Sequence, residues 1–199
     1  KLVKNKTASL FRKIAGKVVP LTQIENEQIF KIGQTVARLH VVGQDYDQFV
    51  IDRSSFERVR KTYDSLRVRI ADHLKHILHV LDDEIAHQNE YREEKLPNGV
   101  VHGNLVPENI LFRGGKVVGV LNFDSMCSGK FIADLANMVN NFCYTGEHYD
   151  IDRFKSLLRG YQAERTLSLA EWDAFPNELR FSAFRLTIKQ LKDVFFRQL

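Results

Sequence analysis

Residues 101–112 read Val-His-Gly-Asn-Leu-Val-Pro-Glu-Asn-Ile-Leu-Phe, and this stretch decides which fold the sequence predicts. A polar loop runs into the short apolar segment Ile110–Phe112, a pattern typical of a loop that leads into a buried strand. Asn104 in this loop can orient a neighbouring group through hydrogen bonds. Its amide cannot accept a proton near neutral pH, so Asn104 cannot serve as a general base.

A second informative segment follows one hairpin later. Arg113-Gly114-Gly115-Lys116 predicts a tight Gly-Gly turn, and Val117–Phe123 is apolar and rich in β-branched residues, as expected of the returning strand. The segment continues into Asp124. On an extended strand Asp124 lies on the same side as Asn122, so it is either a partner of Asn122 at a metal ion or a solvated turn residue.

Together the two segments resemble the kinase-like small-molecule phosphotransferases, which include the aminoglycoside, choline and homoserine kinases. The catalytic loop of that family reads His-Gly-Asp, four further residues and Asn, and its metal loop reads Ile-Asp-Phe. His102 and Asn109 match the first pattern with its spacing intact. Asn104 and Asn122 stand where the family carries its two carboxylates, so both have become amides.

The resemblance implies a role for each matching residue. In this family the loop Asp accepts the proton of the attacking hydroxyl, while the later Asn and the second Asp hold magnesium against the ATP phosphates. A further family Asp opens the next helix and braces the catalytic loop; Asp134 matches it, although it is equally an ordinary first-turn helix residue. The implied set is His102 and Asn104 as catalytic, Asn109 and Asn122 as cofactor- and metal-binding, Asp124 as a further metal ligand, and Asp134 as structural support.

Upstream segments extend the resemblance. Ser9–Gly16 resembles the hinge strand of these kinases, Ile32–His40 resembles the helix after it, and with Gly43–Tyr46 the match is closest to bacterial homoserine kinase. Such kinases begin with a β-rich lobe that covers the nucleotide, and no G-x-G-x-x-G motif occurs before a helix here. The sequence is therefore expected to start at the hinge, with 1–16 as the hinge strand region and 17–199 as the helical C-terminal lobe.

Helical periodicity dominates the remaining sequence. Thr22–Glu25 predicts a capping-box start for a helix that ends near Gly43, and an apolar stripe from Ser54 to Gln88 predicts a long helical region with a break near Asp64-Ser65. The predicted class is α+β and mostly helical, the C-terminal lobe of a protein-kinase-like fold in which a small β-hairpin carries the catalytic-type loop 101–112 and the metal-type loop 120–126. Further helices are predicted near 132–143, 150–163, 168–174 and 177–197, the last two separated at Pro176.

The composition limits the kinds of partner that the sequence predicts. The 199 residues are 44% hydrophobic, which suits one sizeable core, and the net charge of +4 is too small to indicate nucleic acid. No apolar run is long enough for a membrane span. Cys127 and Cys143, without a secretory leader, indicate a reducing, cytoplasmic location and a packing role. His73, His76 and His79 are spaced as a solvated helix flank rather than as a metal site.

The basic N-terminal stretch has two interpretations. Lys1–Lys17 carries six Lys or Arg residues and no acid, which suits either a solvated β-edge or, less simply, a phosphate-binding patch. The hinge strand, predicted over Thr7–Ile14, is expected to expose an unpaired edge and apolar surface. That exposure predicts self-association of the chain.

Two functions follow from these patterns. In the first, the chain belongs to a kinase that uses Mg-ATP to phosphorylate a small hydroxyl-bearing molecule, with homoserine as the substrate that the resemblance implies. In the second, it is a kinase-derived binding or scaffolding protein without catalysis. General acid–base help alone contributes about 10²–10⁴-fold to rate, so loss of the base and of the metal carboxylate predicts that this chain is inactive as written.

Overall fold

The computed structural model describes residues 2–3, 6–7, 11–70, 74–91 and 95–197. Helices make up most of the described chain, and the strands form small antiparallel pairs, so the predicted α+β, mostly helical class is confirmed. The helices are α1 Asn26–Gly43, α2 Phe56–Arg67, α3 Lys75–Glu90, α4 Phe131–Phe142, α5 Ile151–Gln162 and α6 Leu169–Arg197. The strands are β1 Leu2–Val3, β2 Lys6–Thr7, β3 Asn98–Val101, β4 Ile110–Arg113, β5 Lys116–Val120, β6 Cys127–Lys130, β7 Tyr144–Thr145 and β8 His148–Tyr149.

Two apolar cores hold the helices together. The larger core joins α1, α4 and α5 and extends beneath the β4–β5 hairpin, with fully buried side chains such as Ile32, Leu135 and Tyr161. The smaller core joins α2, α3 and α6 through residues that include Tyr63 and Phe184. Strands β3 and β5 contact α1, and strands β3 and β6 contact α4, so the loops that leave these strands rest on the larger core.

Helix α1 begins later than the Thr22–Glu25 pattern predicts. Leu21–Gln23 forms a 3-10 turn, and the observed capping box joins Glu25 to Gln28, whose side chain accepts a hydrogen bond from the Glu25 amide at 2.9 Å. Ile24, just before the cap, is buried in the same core as Ile29, so the two residues form a hydrophobic staple. Burial of Ile24 requires an extended residue there, which excludes a helix start at Thr22.

The later helices also differ from prediction in their breaks. The long helical region predicted from Ser54 to Gln88 breaks after Arg67, a few residues later than the predicted Asp64-Ser65. His73 lies outside the described residues. Pro176 does not separate two helices but lies inside α6. A proline there removes one backbone hydrogen bond, yet the following turn is anchored, because Asn177 accepts hydrogen bonds from His87 and Gln88, each at 2.9 Å.

The predicted β-hairpin is confirmed. Strands β4 and β5 pair antiparallel with Arg113 opposite Lys116, and Gly114 and Gly115 both have positive φ (56° and 74°), the turn geometry that glycine permits. Strands β3 and β6 also pair antiparallel. Because β3 precedes the catalytic-type loop and β6 follows the metal-type loop, the two pairs bring both loops to one end of the lobe.

The hinge segment differs from the prediction where it is described. Thr7 lies in β2, residues 8–10 fall outside the described chain, and residues 11–14 belong to no strand. Apolar surface is nevertheless present, since Phe11 is 84% exposed and Ile14 is 41% exposed. The first pairing with the lobe comes at Lys17, which exchanges two backbone hydrogen bonds with Phe112. Of the basic stretch, Lys1 and Lys4 lie outside the described residues.

Both cysteines pack in the interior. Cys127 and Cys143 are free thiols and buried, and burial raises the pKa of each to about 12, so neither is a thiolate near neutral pH. Within the described chain, no helix combines the length and apolar character needed to cross a membrane. Over the same residues, no three His, Cys, Asp or Glu side chains converge as a metal-binding group.

Candidate functional site: the catalytic-type and metal-type loops

The catalytic-type loop begins where β3 ends and touches the metal-type loop at Gly103. Gly103 has φ of 74°, and a Cβ atom there would lie 2.5 Å from the backbone oxygen of Ser125. Any other residue would therefore be strained and would clash with the second loop. The glycine of the His-Gly-Asn sequence is what lets the two loops approach.

Asn109 closes the catalytic-type loop on itself. Its Nδ2 donates to the backbone oxygen of Asn104 at 2.9 Å, and its own backbone oxygen accepts from the Leu121 amide at 2.8 Å. Asn109 is buried, whereas Asn104 is only half-buried and presents its side chain toward solvent. The Asn104 Oδ1 atom accepts a long hydrogen bond from Lys189 Nζ at 3.4 Å.

His102 links the backbones of the two loops on their buried side. Its Nε2–H donates to the Leu121 backbone oxygen at 2.9 Å, and its Nδ1 accepts from the Asn104 amide at 3.3 Å. These partners require the neutral tautomer with the proton on Nε2. The buried ring also lies 4.6 Å from the Phe123 ring, between centroids. His102 thus positions the backbone of both loops.

Asp134, at the start of α4, holds the catalytic-type loop from below. Its carboxylate accepts the amides of His102 at 2.6 Å and Gly103 at 2.8 Å. Burial raises the pKa of this carboxyl, but the hydrogen bond from His40 and those two amides outweigh burial and hold the pKa below its usual value. The carboxylate is therefore ionised at neutral pH while fully enclosed.

His40 is a functional residue that sequence analysis did not assign. It is completely buried on α1, where Nε2 lies 3.2 Å from the Asp134 carboxylate and Nδ1 lies 2.7 Å from the Tyr161 hydroxyl. Its ring stacks on Phe131. His40 follows Val36 by four residues on the apolar face of α1, and a polar side chain on such a face needs a buried partner. That spacing was the available signal.

The metal-type loop does not have the predicted extended geometry. Asn122 has φ 65° and ψ 61°, and Phe123–Ser125 form a 3-10 turn, so strand β5 ends at Val120. The prediction that Asp124 projects beside Asn122 on a strand is wrong, because the left-handed residue ends the alternation of sides. Asn tolerates this conformation better than most residues. Asp124 instead lines a cavity that also borders Asn104.

The donors in these loops do not fit a magnesium ion. Magnesium sites in proteins use one or two carboxylates together with phosphates and water. Asn109 and Asn122 are neutral amides, so neither brings negative charge to a cation. The one nearby acid, Asp124, lines a cavity whose described lining includes neither Asn109 nor Asn122. The family's metal roles for these residues stay predictions.

A basic cavity of about 660 Å³ lies on the solvent side of Asn104. Its wall is formed by α2, α6 and the turn of the metal-type loop. Arg185 reaches the Gly103 backbone oxygen at 3.4 Å, close to where Lys189 reaches Asn104. The helix predicted near 177–197 carried no role for either cation, although their four-residue spacing places them on one helix face.

These features define a class of protein. A strand, loop and hairpin braced by a buried helix Asp, resting on a helical lobe, is the architecture of a kinase-like phosphotransferase. The chain belongs to the phosphotransferase enzyme family, whose family model matches residues 6–171. The resemblance inferred from residues 101–112 is thereby confirmed at the level of family and fold.

Homoserine kinases are among the curated relatives. One from Nitrobacter hamburgensis is 32% identical over 164 residues, which make up 81% of this chain and 50% of that protein. Another, from Methylobacillus flagellatus, is 29% identical over 197 residues, or 97% of this chain and 59% of that protein. The chain spans about half the length of the curated relatives that it matches.

Solved structures share the fold. An amicoumacin kinase in complex with AMP-PNP, Ca²⁺ and Ami superposes with a TM-score of 0.69 at 18% identity, covering 91% of this chain and 56% of that one. A macrolide 2'-phosphotransferase from Brachybacterium faecium gives 0.58 at 16% identity, covering 87% and 54%. At these identities the likeness establishes the fold and leaves the substrate open.

Proposed function

We propose that this chain is the large lobe of a phosphotransferase of the homoserine kinase type, and that two amides make the chain inactive as it stands. The family activity would use ATP and magnesium to phosphorylate a hydroxyl of a small molecule, with homoserine favoured by the curated relatives. A cytoplasmic location, without a membrane or nucleic-acid partner, belongs to the same proposal. The two buried, unpaired thiols support that location.

The observation that carries the proposal is the contrast within one loop. Asn109, His102 and Asp134 make the hydrogen bonds that hold a kinase-type catalytic loop in shape. Asn104, at the position of the family base, can orient a hydroxyl but cannot remove its proton. In the chain as written the loop would position an acceptor without activating it.

A second function is supported by the missing carboxylates. With Asn104 and Asn122 both amides, the lobe keeps its cleft and loses the groups that chemistry and metal binding require. A kinase-derived protein that binds a small molecule without phosphorylating it would have this combination. Asn104 already takes part in a contact with Lys189, which lines the basic cavity.

Phosphotransfer measured with homoserine and Mg-ATP tests the proposal. The unmodified chain should give no detectable product, and Asn104→Asp/Asn122→Asp in the same chain should give measurable transfer. Asn26→Asp/Gln162→Glu is the control, because it makes two amide-to-carboxylate changes at exposed positions away from these loops. Turnover by the unmodified chain would contradict the inactivity, whereas silence in every variant would favour the binding function.

A further inference from the structure

The basic cavity beside Asn104 has a strongly one-sided charge. Its described lining contains a single carboxylate, that of Asp124. The cations around it number six and come from the loop before α2, from α2 and from α6. They are Arg53, Arg58, Lys61, Arg185, Lys189 and Lys192. An excess of this size attracts anions into a concave site, where the field of several charges adds.

Five of these six cations form no ion pair with a carboxylate within the described part of the chain. Among residues 11–70, 74–91 and 95–197, no ion pair involves Arg185 or Lys189, nor the three cations before and on α2. The partners that Arg185 and Lys189 do have are the neutral oxygens of Gly103 and Asn104, each at 3.4 Å. Arg53, Arg58, Lys61, Arg185 and Lys189 thus line the cavity without an ion-pair partner among the described residues.

The helix spacing makes the arrangement costly without a ligand. Arg58 and Lys61 are three residues apart on α2, and Arg185 and Lys189 are four apart on α6, so each pair shares one helix face. Like charges at these spacings destabilise a helix. The two helices are fixed against each other by the smaller core, through residues such as Val59 and Ile188. A bound anion would reduce the repulsion within the Arg58–Lys61 pair and within the Arg185–Lys189 pair.

A buried amide supplies an independent sign of a ligand. Asn137 on α4 lines the same cavity and is 5% exposed, yet its Oδ1 atom has no hydrogen-bond partner. A buried polar atom without a partner carries a desolvation cost that a ligand can remove. An Oδ1 acceptor at the cavity wall calls for a hydroxyl or amino donor on that ligand.

We propose that the basic cavity binds a small polyanion, a molecule with at least two negative charges and a hydroxyl or amino group that donates to Asn137. Phosphate monoesters and hydroxy-polycarboxylates share this chemistry. The assignment rests on the proposed function only in taking Asn104 as the residue that faces the acceptor. Homoserine carries one positive and one negative charge, so it would satisfy the cavity poorly, and the ligand class differs from that of the named relatives.

Titration calorimetry of the whole chain tests this site without nucleotide or magnesium. The probes are O-phosphoserine and citrate as the two kinds of polyanion, homoserine as the zwitterion, and tricarballylate, which is citrate without its hydroxyl. We expect both polyanions to bind, more weakly as salt is raised, and homoserine to bind much more weakly than either polyanion. Citrate should bind more tightly than tricarballylate in the unmodified chain and equally in Asn137→Ala.

Matched variants locate the binding. Lys61→Gln/Lys189→Gln removes two exposed cations and should weaken polyanion binding about tenfold, from two charge pairs of ordinary strength. Lys155→Gln removes an exposed helical lysine outside the cavity and should leave the affinity unchanged. Equal binding of homoserine, no binding of either polyanion, or an equal loss in Lys155→Gln would overturn the proposal. Failure of the proposed function would be visible elsewhere, in phosphotransfer by the Asp-restored variant.

Discussion

The catalytic-type loop has two sides that differ sharply. On the buried side of the loop, His102, Asp134 and His40 form a continuous network of hydrogen bonds. On the solvent side of the loop, Asn104 is half-buried and Asn122 is exposed, and neither side chain carries charge. The comparison shows that the support of a catalytic loop and its reacting groups are physically separate, so one can persist while the other is lost.

Removal of the central support should have the largest effect. Asp134→Ala leaves the His102 and Gly103 amides and the His40 ring without their acceptor in a fully buried place. A buried donor left without its acceptor costs about 1–3 kcal/mol, so three such donors predict a loss of about 3–5 kcal/mol. We expect urea unfolding to show a fall of this size. Asp173→Ala, at an exposed position on α6, should change stability little, and a loss below about 1 kcal/mol for Asp134→Ala would contradict the support role.

Replacement of His40 should have a smaller effect. His40→Phe keeps an aromatic ring against Phe131 but removes one of the two partners of the Tyr161 hydroxyl and one of the three donors to Asp134. The Tyr161 hydroxyl and the Asp134 carboxylate each lose a hydrogen bond, while the two loop amides still donate to the carboxylate. We expect a cost of about 1–3 kcal/mol in the free energy of unfolding. A neutral or stabilising result would show that the network behind the loop ends at Asp134.

The pH dependence of stability tests the same network without large structural change. The pKa of Asp134 in the folded chain lies below its ordinary value of 3.8, so the folded state favours the ionised form. The stability from this group is complete above the ordinary pKa and is lost as pH falls through the folded pKa. The cost of Asp134→Asn should therefore be larger near pH 7 than near pH 3. A cost independent of pH would show that ionisation of Asp134 does not contribute.

The structure agrees with the sequence where the determinants are local and departs from it where distant elements meet. The Gly114-Gly115 turn depends on neighbours within a few residues, and it could be predicted. The His40–Asp134 contact joins positions 94 apart, so only the packing of α1 on α4 creates it. The basic cavity likewise requires α2 and α6 to face each other.

Local geometry also limited the prediction at the metal-type loop. The apolar run up to Phe123 indicated an extended strand, and alternation then placed Asp124 beside Asn122. A single left-handed residue, Asn122, ends that strand and turns the chain into a 3-10 turn. Nothing in the run distinguishes the two conformations, because asparagine is compatible with both.

Exposed apolar surface at the hinge should produce a weak effect on association. Phe11 is 84% exposed and Ile14 is 41% exposed on a segment outside any strand. We expect the chain to self-associate at high concentration in light scattering, and Phe11→Ser to reduce this. Val68→Ser is the control, because that residue is equally exposed but lies at the end of α2. A strictly monomeric chain, or equal reduction in both variants, would contradict association through the hinge.

Calorimetric titration of Mg-ATP into the chain and into Asn104→Asp/Asn122→Asp tests the central claim most directly, with urea unfolding of both proteins alongside. If support and reacting groups are separate, the two proteins should differ by less than about 1 kcal/mol in stability, because Asn104 and Asn122 lie outside the buried network, while only the restored protein binds the nucleotide. Equal heats in the two proteins would contradict the claim that the amides prevent nucleotide binding. A large change in stability on restoration would show that Asn104 and Asn122 are not independent of the buried network.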